Sequence, residues 1–240
     1  MSAKPKRKAE KQLSRPQPAN FDGRNGLGPY IANPDSFPPS RVIYHNADFV
    51  VINDLYPKSS VHLLLIPRDS SKMLVHPFEA FEDKEFLTKV QIEVRKLRKM
   101  VASELRRRYG AQSVQDRNRN AAMESDPPPE KLPEGRNWEE EVICGIHAGP
   151  SMNHLHVHVL SKDRFSANMR KRKHYNSFTT PFLIDVDDFP LAKSDRRRHP
   201  GREGYLDREF TCWRCGKNFQ NKFTRLKEHL ECEFEEWKRL

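Results

Sequence analysis

"MNHLHVHVLS", residues 152–161, sets His154, His156 and His158 at every second position. Side chains of a strand alternate between its two faces. The spacing therefore predicts three imidazoles on one face, with Leu155, Val157 and Val159 turned to a core on the other. Three histidines in register are a poor accident. They suit either a metal or phosphate chemistry, in which a neutral imidazole is a good nucleophile and its neighbours fix its tautomer.

Outward from that strand, the patterns alternate in kind. "VIYHNADFVVIND" (42–54) and "SVHLLLIPR" (60–68) are β-branched, aliphatic runs and predict a hairpin of two strands. Phe86, Val90, Val94, Leu97, Val101 and Leu105 recur at spacings of three and four, which predicts an amphipathic helix over about 81–108. Residues 110–137 are polar and rich in proline, as expected of a flexible insertion. Strand patterning returns at "EEVICGIHAG" (140–149), just before the histidines. The expected first domain, 25–195, is α+β: an antiparallel sheet with helices packed on it.

The 240 residues suffice for one core plus a small module. Lys and Arg total 43 against 33 Asp and Glu, a net +10 that suggests a polyanionic partner. No apolar run approaches a membrane span, and the first residues lack the apolar centre of a signal peptide, so no membrane is expected and the protein is read as soluble and intracellular. Residues 1–24 read as a disordered basic tail, whose "KPKRK" would serve either as a nuclear import signal or as a nucleic-acid-binding arm.

Three of the four cysteines fall within 212–232. Cys212 and Cys215 form Cys-x2-Cys, and thirteen residues separate Cys215 from His229, as in a Cys2His2-like zinc finger. The expected module is 205–240, reached through a basic linker, "RRRHPGREG" (196–204), with a helix over 223–237 and structural zinc holding it together. The usual second histidine is missing: i+4 from His229 is Glu233 and i+3 is Cys232. Thiolate softness favours Cys232.

"HLHVHVL" resembles the signature of the histidine triad (HIT) superfamily of nucleotide hydrolases and transferases. "YPKS" (56–59), "GIHAGPSMNHLHVHVLS" (145–161), "KHYNSFTTPF" (173–182) and the finger directly behind them resemble its aprataxin branch. That resemblance implies a DNA-repair hydrolase that removes AMP from 5′-adenylated DNA ends left by abortive ligation, in the nucleus and as a monomer. It implies His156 as nucleophile, His147 beside the leaving phosphate, and His154 and His158 orienting His156 and stabilising phosphoryl oxygens. Asp54 would take the ribose hydroxyls, Lys58 and Ser151 the phosphates, with His62 placed among the phosphate-binding residues. Apart from the resemblance, His62 reads equally as a buried structural histidine. Tyr30 would stack on an exposed terminal base pair, Lys173 and His174 would meet DNA, and the fourth zinc ligand would be Glu233, with Cys232 as the alternative. No room precedes the HIT segment for a forkhead-associated domain, so docking to phosphoproteins is not expected. The rival readings are a general HIT hydrolase acting on free AMP-amides or dinucleoside polyphosphates, and a catalytically silent DNA-binding protein.

Overall fold

The computed structural model describes residues 23–240; the basic tail and its "KPKRK" lie outside them. Six strands form one antiparallel sheet in the order β1-β2-β3-β5-β4-β6. The strands are β1 (Val42–His45), β2 (Phe49–Asn53), β3 (His62–Pro67), β4 (Val142–His147), β5 (Val157–Ser161) and β6 (Leu183–Asp185). The helices are α1 (Gly28–Ala32), α2 (Pro77–Ala80), α3 (Lys84–Tyr109), α4 (Arg117–Met123), α5 (Arg172–Thr179), α6 (Pro200–Glu203) and α7 (Phe223–Arg239). Among the described residues no helix is long and apolar enough to cross a membrane.

Helix α3 begins where Asp83 accepts hydrogen bonds from the N–H groups of Glu85 and Phe86, both at 3.1 Å, satisfying two donors the helix cannot. All six apolar positions named for it are buried. They pack on the sheet face made by Leu63, Leu65, Cys144, Ile146, Val157 and Val159. Each fully buried Val or Leu there contributes roughly 1.5–3 kcal/mol. The opposite face carries Val50, Ile52, Leu64 and Ile66, covered by Leu27 and Tyr30 of the α1 segment.

Three expectations change. The 42–54 run is itself a hairpin, because the Asn46 side chain accepts from the N–H groups of Asp48 (2.9 Å) and Phe49 (2.7 Å) and turns the chain between β1 and β2. The 110–137 stretch contains α4 and is anchored at both ends. The buried Asp116 carboxylate accepts from the Arg136 N–H at 3.0 Å and the Trp138 indole at 2.7 Å. A side chain at Gly135 would collide with it, its Cβ falling 1.9 Å from Asp116 Oδ1. Finally, the finger is not a separate bead. Phe234 and Trp237 of α7 belong to the main core. Arg136 lies over the rings of Trp138 and Trp237, 4.2 and 4.9 Å from their centroids, and donates to the Trp237 carbonyl at 2.7 Å.

Candidate active site and metal centre

The histidine row is only partly a strand. The Leu155 N–H goes to the Met73 carbonyl at 2.8 Å, and the ladder begins at Val157. His158 alone of the three lies in β5, paired with Leu64 on one side and Gly145 on the other. His156 precedes the strand, and its Nδ1 lies 2.8 Å from the His154 carbonyl oxygen. A carbonyl only accepts, so Nδ1 carries the proton and Nε2 keeps a lone pair.

A second chain of hydrogen bonds fixes His158. The Lys58 N–H donates to His62 Nδ1 at 3.1 Å. His62 must then be protonated on Nε2, which donates to His158 Nδ1 at 2.9 Å. His158 therefore carries its proton on Nε2, a buried atom with no protein partner. His147 stands beside it, ring centroids 4.5 Å apart. Its ring is hydrogen-bonded to the Ser177 backbone, and its Nε2 is likewise buried and unpartnered. Burial holds all these imidazoles neutral. His62 is pushed down to about 4 and His147 to about 3, the latter by burial and then by His156 and His62. His156 is lowered by burial, against the pull of the His154 carbonyl, and His158 is held well below its usual range by burial and then by His147.

His147, His156 and His158 open on a cavity of about 570 Å³ together with Asp54, Lys58, Ser151, Lys173 and His174. That volume suits a small ligand. Asp54 is held by the Tyr56 N–H at 2.7 Å, and Lys58, partly buried, donates to the Tyr56 carbonyl. Burial lowers the Lys58 ammonium, while Asp54 opposes that shift. Leu27, Ile52, Leu64 and Met152 add apolar wall.

Three of the predicted residues, His154, His62 and Tyr30, are held apart from the cavity's polar groups. The His154 ring lies against α1, where a Cβ on Gly28 would approach its Cε1 to 3.2 Å; its backbone carbonyl, and not its ring, holds His156. His62 is wholly buried behind His158 and does not reach the cavity. Tyr30 is 6% exposed and packs on Phe37 at 4.4 Å. It lines the cavity from its inner wall. Sequence reasoning missed Phe178 and Phe182, which pack on His147 at 4.7 and 5.2 Å, and Tyr56, 61% exposed at the cavity mouth. The i, i+4 spacing of His174 and Phe178 on α5 is the signal that finds one of them.

At the finger, Cys212, Cys215, His229 and Glu233 bring one ligand atom each within 4.8 Å of one another. His229 Nε2 lies 3.1 Å from Cys215 Sγ and 3.0 Å from Glu233 Oε1. Cys232 is exposed and outside this group. The four-donor set of two sulfurs, one nitrogen and one oxygen fits tetrahedral zinc. Helix α5 joins the two sites. Its Tyr175 hydroxyl donates to the Thr211 carbonyl at 2.9 Å and accepts from the Trp213 N–H at 3.0 Å. Asn176 donates to the carbonyls of Leu206 and Arg208, and Lys173, His174, Ser177 and Phe178 line the cavity.

The profile of the HIT domain matches residues 37–165, and that of the C2HE / C2H2 / C2HC zinc-binding finger matches 179–236. The "Aprataxin-like protein" of Schizosaccharomyces pombe is 33% identical over 89% of this chain and 82% of its own length. That of Saccharomyces cerevisiae is 33% identical over 88% and 95%. Among solved structures, the aprataxin ortholog Hnt3 in complex with DNA superposes with a TM-score of 0.71 at 32% identity, covering 89% of this chain and 96% of that one. Hnt3 with DNA and guanosine gives 0.70. The chain is thus a HIT-superfamily hydrolase carrying a zinc-binding finger. It belongs to the aprataxin-like proteins, the DNA-repair branch of that superfamily, which acts on adenylated DNA.

Proposed function

We propose that this protein releases AMP from 5′-adenylated DNA ends through an adenylyl-histidine on His156. The observation that carries this reading is the His156 Nδ1 bond to the His154 carbonyl, which leaves the Nε2 lone pair available at a cavity lined by Asp54, Lys58 and Ser151. His156 Nε2 attacks the adenylyl phosphorus, a P–N bond forms, and the P–O bond to the DNA 5′-phosphate breaks, its electron pair leaving with that phosphate. The His158 Nε2–H supplies a neutral donor to a phosphoryl oxygen, and Lys58 a charge. His147 has no proton on Nε2 in the free site. A bound phosphate anion favours the imidazolium, so His147 takes up a proton and passes it to the leaving phosphate. Water then attacks the same phosphorus, breaks the P–N bond and releases AMP.

Asp54 accepts from the two ribose hydroxyls, and Ser151 contacts phosphate from the exposed rim. Lys173 and His174 approach the DNA strand where it leaves the cavity. Structural zinc is held by Cys212, Cys215, His229 and Glu233, and the protein acts in the nucleus as a monomer. The test uses nicked duplex carrying a labelled adenylate. Brief reaction should leave a label on the protein that survives alkali and is lost in acid, as a phosphoramidate is. AMP release without such a label, undiminished in His156→Ala, would overturn the proposal.

A further inference from the structure

Phe178 of α5 is buried, yet it belongs to none of the three apolar clusters among the described residues. Its ring packs on imidazoles instead. The rings of His147, His158 and His62 lie 4.7, 5.0 and 5.5 Å from it, the last two nearly edge to face at 83° and 87°. Membership of a hydrophobic core does not account for an aromatic side chain set against three polar rings.

Behind Phe178 lies a second cavity of about 510 Å³, open to solvent and walled in part by Ile143, Leu183 and Trp213. Among the described residues, Phe178 alone lines both this cavity and the catalytic one. Its neighbours fix it in place. The Arg164 guanidinium donates to its carbonyl at 2.8 Å, and Tyr175 and Asn176 of the same helix grip the segment 206–213. The ring thus stands as a partition between a solvent-open space and the inner side of the histidines.

What lies behind the partition is the arrangement of protons. The chain from the Lys58 N–H through His62 to His158 holds each ring in one tautomer. The His62 side chain has no exposed surface. Without the Phe178 ring, a space lined by imidazoles would join the second cavity and take up water. Water both donates and accepts, so it satisfies either tautomer, and it also solvates the charged form. The proton of His158 would no longer be confined to Nε2, nor His147 held neutral by burial.

We propose that Phe178 is a positioning residue: its ring closes the inner side of His62, His147 and His158 against the second cavity and so preserves the single proton arrangement on which the catalytic cavity depends. Its consequence for the reaction rests on the reading of that cavity as the adenylate site; its effect on the protons does not.

The test uses the full chain with zinc bound, at neutral pH. Magnetic resonance of isotope-labelled histidine and tryptophan follows exchange of the His62 Nε2–H with water. The Trp138 indole N–H, buried on Asp116 at 2.7 Å, is the control for global opening. In Phe178→Ala the His62 proton should exchange about tenfold faster or more, with the Trp138 proton unchanged. Phe178→Leu leaves a smaller space and serves if the alanine variant does not fold; about threefold is expected there. In a second arm, AMP release from adenylated nicked DNA should show kcat lowered about tenfold in Phe178→Ala, with KM near the parent value. Acceleration of both protons together would reduce Phe178 to a stabilising residue and overturn the proposal. Unchanged His62 exchange in a folded variant, or a kcat at the parent value, would overturn it equally. A parent chain that releases no AMP breaks the catalytic reading alone, and the exchange arm still decides this one.

Discussion

Asp54, His62 and His158 bring one potential ligand atom each within 4.8 Å of one another, and so do Cys212, Cys215, His229 and Glu233. The two groups differ in what their donors and acceptors already do. In the first, His62 Nδ1 accepts from the Lys58 N–H and His62 Nε2 donates to His158. The His62 nitrogens and His158 Nδ1 are thus matched donor to acceptor, which leaves only the Asp54 carboxylate, 3.5 Å from His62 Nδ1, with a lone pair to offer a cation. In the second, one imidazole N–H faces both the Cys215 sulfur and a Glu233 oxygen, with Cys212 close by. One proton cannot serve so many acceptors, and a cation can. Proximity alone makes neither site; the accounting of protons separates a catalytic cluster from a metal centre.

The sharpest break of this comparison is at His156. His156→Ala should lower AMP release from adenylated nicked DNA by roughly 10³-fold or more, while zinc content and DNA affinity stay near the parent values. A variant that lost metal and catalysis together would erase the distinction between the two clusters.

Next is Trp237, which belongs to the finger by sequence and to the main core by packing. Its indole donates to Glu141 at 2.7 Å, and its ring is 1% exposed beside Trp138. Trp237→Ala should destabilise the whole chain by about 3–5 kcal/mol, read as a lower denaturant midpoint in one cooperative transition. A separate, minor transition for residues 205–240 would restore the picture of an independent module.

The packing of Phe234 and Trp237 into the main core is the part of the finger that the sequence does not reveal. The α3 spacing was legible because one helix face meets one sheet face, and apolar periodicity reports that directly. The Cys-x2-Cys spacing was legible because zinc geometry fixes it locally. The position of His154 was not, because the Leu155 N–H leaves the ladder for Met73, a residue far away in sequence. Helix α5 was hidden too: Asn176 and Ser177 are polar yet buried, and Asn176 is satisfied by carbonyls some thirty residues on. Arg136 likewise looks like surface until the two tryptophans enclose it. Periodicity sees faces; it does not see which distant carbonyl will satisfy a polar group.

A smaller effect should appear with pH. His62 and His147 ionise at about 4 and about 3 when folded, against an ordinary value of 6.5. Between those values the unfolded chain binds more protons than the folded one, so stability rises with pH there. Stability should therefore fall as pH drops below about 6.5 and keep falling to about 3–4. Melting temperatures of the parent and of His147→Phe over that range check it, the variant showing the shallower slope. Equal slopes would mean that His147 is not held neutral by burial.

The smallest effect separates neighbours on α7. Glu233 is buried and faces His229, and its other oxygen accepts from Arg214 at 2.5 Å. Arg214 also meets Glu236 at 2.9 Å, so it both orients the carboxylate and limits its freedom to turn away. Cys232, one residue earlier, is exposed, because adjacent helical positions point about 100° apart. For its thiolate to replace Glu233, α7 would have to rotate, withdrawing Leu230, Phe234 and Trp237 from their cores. The greater softness of sulfur does not offset the loss of three buried side chains, each worth roughly 1.5–3 kcal/mol or more. Zinc-edge X-ray absorption should report two sulfurs in the first shell. Glu233→Ala should weaken zinc retention against a chelator by about tenfold, and Cys232→Ser should leave it unchanged. Three sulfurs in the spectrum, or zinc lost on the serine substitution, would move the fourth ligand to Cys232.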